Sequence, residues 1–392
     1  MLSEEIKKLD NESFMPTYGR FNAVLCSGKN ATAHDCEGKE YIDFGSGIGV
    51  NSLGWADEGW VAAVSRQAAS LQHVSNLYYN PISAEFAAEL LAVSGYDAVF
   101  LGNSGAEANE CAIKLARKYS VEKYGKDRCE ILTLQNSFHG RTVTTLAATG
   151  QDVFHHYFFP FTEGFAYAEP NIESVREHLT ENTCAVMIEF IQGEGGVLPL
   201  DREFVTELAA LCKEKNLLLL ADEVQTGVGR TGTFYCCEQY GVRPDVLTSA
   251  KGLGGGLPIG ACLCTKELRE VMGRSAHGST FGANPVVCAG AREVLHRVAR
   301  PDFLAKVREK GAYLRERLEK MDGVAEVRGM GMMLGIVPAR GTSAALAAAC
   351  VENGLLILTA KALLRLLPPL TITREEMDKG LAILEKVLAE AK

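Results

Sequence analysis

The chain has 392 residues, 47% hydrophobic and 23% charged, with 49 acidic against 40 basic side chains and a formal net charge of −9. This is ordinary globular composition, with length for more than one core, and it excludes collagenous and disordered chains. The acidic balance and the lack of a long basic run argue against nucleic acid as a partner, and the apolar runs fall short of the roughly 20 residues that cross a bilayer, so no membrane partner is expected. The opening MLSEEIKKLDNE mixes both charge signs without an apolar signal core, which predicts a cytoplasmic protein without a cleaved leader. The twelve cysteines are scattered, with no pair of CxxC motifs and no His pair at ligand spacing. They predict reduced thiols and no metal.

In chain order, YIDFGSGIGVNSLG (Tyr41 to Gly54) reads as a strand followed by a Gly/Ser-rich irregular segment. Helical spacing follows from Glu58 to Leu71 and from Ser83 to Leu91, separated by the polar and aromatic loop HVSNLYYNP. Strands are predicted at Tyr96 to Leu101, Glu130 to Leu134, Ala185 to Ile188 and Leu217 to Leu220, with helices at Glu107 to Tyr124 and Arg202 to Lys215. This alternation implies an α/β fold with a mostly parallel sheet covered on both faces. After Asn284-Pro285 the texture changes to helices at Val286 to Val298 and Phe303 to Met321, then short strands at Gly323 to Arg328 and Leu334 to Val337. An Ala-rich helix from Thr342 to Asn353 and a terminal helix from Glu375 complete the chain. A boundary is expected near residue 285, with the tail forming a smaller α+β domain.

Two stretches about thirty residues apart carry most of the chemistry. The apolar run Leu217 to Leu220 ends abruptly in Asp222-Glu223, and a carboxylate at the end of a buried strand can hold a protonated heterocyclic nitrogen. Lys251 stands in SAKGLGGGLPIG, whose small and apolar neighbours would desolvate its amine and fit it to form an imine with a carbonyl cofactor. The plain alternatives are a helix cap for the acid pair and a snorkelling lysine. GNSGAEANE (Gly102 to Glu110) reads as a strand end, a small-residue turn and a helix start, where exposed amides and the helix dipole suit a phosphate; an ordinary N-cap is the competing reading. In NSFHGRT, Phe138 can lie on a heteroaromatic ring and Arg141 can meet a carboxylate bidentately; core packing and a solvated arginine are the alternatives. Gln225 can reach a ring hydroxyl, and Ser279 and Thr280 lie in a glycine-flanked turn suited to a second set of phosphate donors. GVGRTG (Gly227 to Gly232) formally matches a dinucleotide fingerprint and keeps a nicotinamide oxidoreductase open, though no strand directly precedes it.

GNSGAEANE, FHGRT, EFIQGEGG, LLADEVQTGVGRTG, the Lys251 loop and GSTFGANP together resemble the class III (ω-amino) pyridoxal phosphate aminotransferases along nearly the whole chain. The early YIDFGSGIGVNSLG, the HVSNLYYN loop and LRLLPPLTIT are most similar to the acetylornithine branch. The resemblance implies a type I transferase fold: residues 51–285 as a large cofactor-binding domain around a seven-stranded, mostly parallel sheet, 286–392 as a small domain, and 1–50 packing with the latter. It makes Lys251 the imine-forming and proton-moving lysine and Asp222 the partner of the pyridine nitrogen. Ser104, Gly105, Ala106, Phe138, Val224 and Gln225 become contacts of pyridoxal 5′-phosphate. Thr280 is implied to reach the phosphate of a neighbouring subunit, hence a homodimer with shared sites. Arg141, Ser279, Glu194 and Arg365 become substrate residues, with Glu194 pairing Arg365 when N-acetylornithine binds and releasing it for 2-oxoglutarate; other ω-amines remain rivals. Two departures lie near the expected entrance: Trp55-Ala56-Asp57 replaces a Gly-His-x-x-Pro pattern, and FGGNP has become FGANP at Ala283.

Overall fold

The computed structural model describes residues 2–391. Seven strands make the large sheet: β1 (Ala98–Gly102), β2 (Glu130–Leu134), β3 (Phe165–Ala168), β4 (Thr183–Ile188), β5 (Leu218–Asp222), β6 (Val246–Ser249) and β7 (Gly260–Cys264), in the spatial order β1-β7-β6-β5-β4-β2-β3. The run from β6 to β3 pairs in parallel, and β7 is antiparallel to both of its neighbours. Every residue of β4 and β5 is buried, which is why these strands read as unbroken apolar runs. Helices α1 (Gly105–Tyr124) and α2 (Arg202–Lys215) cover the sheet. Ser104 caps α1 by accepting from Glu107 N, and Asp201 caps α2 by accepting from Glu203 N and Phe204 N. Helix α3 (Pro285–Val298) packs against the helices Glu58–Ser70 and Pro81–Ser94.

The tail forms an antiparallel sheet of β8 (Val324–Met330), β9 (Met333–Pro338), β10 (Leu358–Ala360) and β11 (Leu363–Leu366), ordered β8-β9-β11-β10. Near the N-terminus, Leu25–Lys29, Thr32–Asp35 and Glu40–Asp43 make a meander that is joined in parallel by Leu355–Leu356. Glu376, in the terminal helix Arg374–Glu390, accepts hydrogen bonds from Asn30 Nδ2 at 2.6 Å, Ala31 N at 3.1 Å and Thr32 Oγ1 at 3.0 Å, tying the first strands to the last helix. Residues 1 and 392, the outer ends of the two expected terminal segments, lie outside the described residues.

The structure departs from the sequence expectations in three ways. β5 runs through Asp222 rather than stopping at Leu220, because the carboxylate is held by buried donors as part of the strand end. The strands β3, β6, β7, β10 and β11 and the N-terminal strands Leu25–Lys29 and Thr32–Asp35 are not anticipated: runs of three to five residues such as GACLC carry little signal of their own and are strands through their pairing. The expectation of uniformly reduced thiols is corrected at one pair. The hairpin register Leu25↔Asp35 brings the Cα atoms of Cys26 and Cys36 to 5.7 Å, and the two form a disulfide. Among the other ten cysteines, nine are buried and Cys129 is half-buried.

Candidate active site

Parallel strands end together, so the residues just past their C-termini converge on one crevice. Here the loop after β1 leads to the N-terminus of α1, the loop after β2 delivers Phe138 and Arg141, β4 is followed by Glu189, β5 ends at Asp222, and Lys251 follows β6. These residues line a cavity of about 450 Å³, a volume suited to a cofactor-sized molecule. Ser104, Gly105, Ala106, Val224 and Gln225 share the lining.

Asp222 is 4% exposed. Its Oδ2 takes Asn109 Nδ2 and His139 Nδ1, each at 2.8 Å, and its Oδ1 takes Val224 N at 3.1 Å. Asn109 is itself fixed, donating to His139 O at 2.7 Å and accepting from Thr248 Oγ1 at 2.6 Å. Donors on both oxygens fix the carboxylate in the orientation that a charge-assisted bond to a cationic ring nitrogen needs. Lys251 opens the 3₁₀ turn Lys251–Gly254 with a φ of +43°, a left-handed conformation that a lysine adopts only where its surroundings enforce it. Ser52 Oγ donates to Gly252 O at 3.1 Å and Trp60 Nε1 to Gly254 O at 3.1 Å, which fixes that turn. Burial is the largest influence on the Lys251 amine and pushes its pKa down; Glu194 opposes this and Arg365 adds to it. A lysine so depressed can act as a nucleophile and a base.

Glu189, buried at the cavity wall, accepts from Phe138 N at 2.8 Å and Gly193 N at 3.2 Å, so one carboxyl fixes both the loop with the stacking ring and the QGEGG loop. Burial pushes it up to about 7, against the pull of His139 and with a further push from Asp222. Arg141 is exposed and its guanidinium lies 5.4 Å from the ring centre of Phe138 and 4.2 Å from that of Phe154. Arg365, in the middle of β11, is 3% exposed. Its Nη1 donates to Glu194 Oε1 at 2.6 Å and Gln225 Oε1 at 3.1 Å, while its buried Nε has no partner. Burial raises the Glu194 pKa, but the charge and hydrogen bond of Arg365 outweigh it and hold the carboxyl below its usual range. Glu194 and Arg365 lie just behind the cavity lining and reach it through Gln225.

Ser279 and Thr280 are not brought to this cavity. Ser279 Oγ accepts from Asn103 Nδ2 and Gly282 N, each at 3.0 Å, and Thr280 is exposed. Sequence reasoning missed the roles of Asn109 and Glu189, although both left a signal. Asn109 is a polar residue on the buried stripe of α1 that holds Ala108, Cys111 and Ala112, and Glu189 ends an apolar strand as Asp222 does. Glu223 faces elsewhere: it accepts from Cys236 N at 2.8 Å, Cys237 N at 2.7 Å and Thr226 Oγ1 at 2.8 Å.

The donor set fits pyridoxal phosphate: a carboxylate for the ring nitrogen, a desolvated amine for the aldehyde, an aromatic face, and the first amides of α1, which have no helical partner, for the phosphate. Val224 packs directly on Gly105 beside those amides, where an added Cβ would lie 2.7 Å from Val224 Cγ1. A family model described as aminotransferase class III matches residues 14–388. The chain is a class-III aminotransferase. An acetylornithine aminotransferase of Haemophilus ducreyi is 48% identical over 393 residues, covering 100% of both chains. The crystal structure of N-acetylornithine aminotransferase from Stenotrophomonas maltophilia superposes with a TM-score of 0.84 at 36% identity, over 97% of this chain and 98% of that one. The ornithine aminotransferase of Toxoplasma gondii superposes with 0.95 at 31% identity, over 99% and 95%. Class-III aminotransferases use pyridoxal 5′-phosphate, and the fold is their type I architecture. The nicotinamide reading of GVGRTG falls away. Its loop is filled by protein: a Cβ on Gly229 would meet Val298 Cγ1 at 2.5 Å, and Arg230 Nη1 donates to Met332 O at 3.2 Å and Pro368 O at 2.6 Å. Among the described residues no helix is long and apolar enough to cross a membrane.

Proposed function

We propose that this enzyme moves the δ-amino group of N2-acetyl-L-ornithine to 2-oxoglutarate, giving N-acetyl-L-glutamate 5-semialdehyde and L-glutamate, a step of arginine biosynthesis. One observation carries the substrate reading: buried Arg365 is neutralised by Glu194, while Arg141 rests on two rings and meets no carboxylate among the described residues. Full-length relatives bearing the acetylornithine aminotransferase name support it.

Pyridoxal 5′-phosphate supplies a carbonyl that carries the amino group and a ring that takes up electron density from the substrate carbon. Asp222, oriented by Asn109 and His139, holds the proton on the ring nitrogen. Ser104 and the amides of Gly105 and Ala106 receive the phosphate, Phe138 and Val224 bound the ring, and Gln225 approaches its phenolic oxygen. Lys251 Nζ makes the covalent attachment and then carries the proton removed from the substrate δ-carbon. Arg141 receives the substrate α-carboxylate; Ser279, which does not line this chain's cavity, is assigned to the acetamide. With Arg365 neutralised by Glu194, the distal amine of acetylornithine is left free to react. With 2-oxoglutarate, Arg365 leaves Glu194 for the second carboxylate.

In the same reading the enzyme is a cytoplasmic homodimer in which Thr280 reaches the neighbouring subunit's phosphate. Large exposed apolar side chains beside that residue and in the NLYYN loop support an interface there: Phe281 is 61% exposed, Leu77 86% and Tyr78 71%. Residues 51–285 make the large domain, 286–392 the small one, and 1–50 pack with the latter. Steady-state rates with acetylornithine, succinylornithine, ornithine, succinyldiaminopimelate and 4-aminobutyrate, each against 2-oxoglutarate, test the substrate. Acetylornithine is expected to give the highest kcat/KM. A leading rate with ornithine or 4-aminobutyrate overturns the assignment and leaves the transaminase chemistry standing.

A further inference from the structure

Arg141 sits in a corner made by two aromatic rings. The rings of Phe138 and Phe154 meet edge to face, with centres 5.9 Å apart and planes at 69°, and the Arg141 guanidinium carbon lies 4.2 Å from the centre of Phe154 and 5.4 Å from that of Phe138. The nearer ring is Phe154. Phe138 and Arg141 line the cavity, whereas Phe154 stands half-buried outside the lining. Its backbone is fastened to the loop that carries the other two. Phe154 closes the 3₁₀ turn Asp152–Phe154, where its N–H donates to Gln151 O at 3.0 Å. Gln151, 9% exposed, donates from Nε2 to Ser137 O at 3.0 Å, and Gly150 N donates to Ser137 Oγ at 3.0 Å, so the turn is tied to the residue immediately before Phe138. On its other side, His155 Nε2 meets Leu146 O at 3.0 Å, and the His155 ring packs 5.2 Å from Phe161 and 5.8 Å from Tyr167. Both ends of the turn are pinned.

We propose that Phe154 is a positioning residue: it holds the Arg141 guanidinium beside the cavity, ready for a substrate carboxylate, and so sets KM rather than the rate of the chemical steps. This deepens the proposed function and rests on its assignment of Arg141 to a substrate carboxylate. A guanidinium has two kinds of surface. Its flat face is attracted to an aromatic ring, while its N–H groups point outward in the plane as a fork that matches a carboxylate. Stacking on Phe154 occupies the face and leaves the fork free. An exposed arginine without such support samples many rotamers, and a substrate that pairs with it must also order it, which weakens binding. Here the ordering precedes binding. The bound carboxylate keeps its charge throughout the reaction, so a better-placed arginine holds the substrate and the transition state equally; such uniform binding moves KM and leaves kcat. Phe138 cannot replace Phe154 in this role, because its ring is assigned to the cofactor and its centre is the farther from the guanidinium.

The test compares the cofactor-loaded parent with Phe154→Leu, Phe154→Tyr, Arg141→Ala and the Phe154→Leu, Arg141→Ala double variant, by steady-state kinetics with acetylornithine and 2-oxoglutarate. Phe154→Leu is expected to raise KM for both substrates by about three- to tenfold and to change kcat by less than about twofold. Phe154→Tyr, which restores an aromatic face, should return KM to the parent value. In the Arg141→Ala background, Phe154→Leu is expected to have no further effect on kcat/KM, since the group it positions is gone; a merely structural role would persist there. Cofactor absorbance and thermal melting confirm that each protein is folded and loaded. Should Phe154→Leu fail to fold, Phe154→Met takes its place, keeping flexible apolar bulk without a ring. An unmoved or lowered KM, an effect of equal size with and without Arg141, or a fall in kcat at unchanged KM overturns the proposal. Every rival donor in the substrate comparison also carries a carboxylate and can serve in place of acetylornithine. Failure of the substrate reading then shows as a different best donor, and failure of this proposal as a KM indifferent to Phe154.

Discussion

Asp222 and Arg365 are buried to almost the same degree, 4% and 3% exposed, and are held in opposite manners. Both Asp222 oxygens are bonded, and the groups that bond them all come from elements that follow strands of the large sheet. Arg365 comes from β11 of the tail sheet, meets Glu194 and Gln225 from loops of the large sheet, and leaves its Nε without a partner. One region is over-determined, so its geometry survives each catalytic cycle unchanged. The other has unspent hydrogen-bonding capacity where two sheets meet, which the proposed exchange of partners requires. A transaminase keeps one cofactor and accepts two unlike substrates, and the two constructions match those two demands.

The rigid region should break hardest. Lys251→Ala is expected to lower turnover by on the order of 10⁴-fold or more, as loss of a nucleophile that works as part of a unit does. The protein should then release its cofactor on denaturation even after borohydride treatment; peptide mapping that finds a reduced adduct elsewhere would reassign the lysine. Asp222→Asn keeps the shape and removes the charge, and kcat should fall by about 10²–10⁴-fold. Asp222→Ala should in addition cost about 1–3 kcal/mol of stability for each buried donor left unpaired, His139 and Asn109, as seen in denaturant unfolding. The exchangeable region should yield more gently and unequally. Glu194→Ala is expected to raise KM for acetylornithine about tenfold, equivalent to ~1.4 kcal/mol, while KM for 2-oxoglutarate stays or falls. Arg141→Ala should raise both. Equal effects of Glu194→Ala on the two half-reactions would remove the partner exchange.

The same contrast sets what the sequence could reveal. Residues of the over-determined region sit where an apolar strand meets a charge or a small-residue turn, so Asp222, Lys251 and the turn before α1 stand out by pattern, while their assignment to a cofactor came with the family resemblance. The parallel core strands β4 and β5 are legible for the same reason, being buried throughout and apolar over most of their length. What escaped depends on pairing at long range. β7 is a strand because β1 and β6 flank it, and Asn109 matters because β5 and β6 bring Asp222 and Thr248 to it. Arg365 lies 171 residues from Glu194, and no periodicity of β11 points to that partner; only family resemblance linked them. The Cys26–Cys36 bond follows from the hairpin register, which the unremarkable strand Leu25–Lys29 does not announce.

The smallest effect on turnover should come from Glu223, one residue beyond Asp222. Its three donors are structural, two backbone amides and Thr226 Oγ1, and it does not line the cavity. Burial raises its pKa from 4.5 to about 7, although Cys236 N and Cys237 N pull it back. The folded chain therefore holds this proton more tightly than the unfolded chain. The stabilisation it gives is complete below pH 4.5 and disappears as the pH climbs to about 7. Across that window Glu223 should contribute a fall in unfolding free energy on the order of 3 kcal/mol. Asp43, raised to about 6, and Glu189, raised to about 7, slope the same way and stay in place in the variant. Glu223→Gln should flatten the pH dependence of unfolding by Glu223's share alone. It carries a pH-independent penalty where its amide faces a backbone N–H, so the slope rather than the absolute stability is the quantity to compare. Turnover at saturating substrate should change less than twofold. A parallel slope in the two proteins would mean that Glu223 is ionised throughout, held by its three donors against burial. A large loss of turnover would mean that the strand end positions Asp222 through its neighbour.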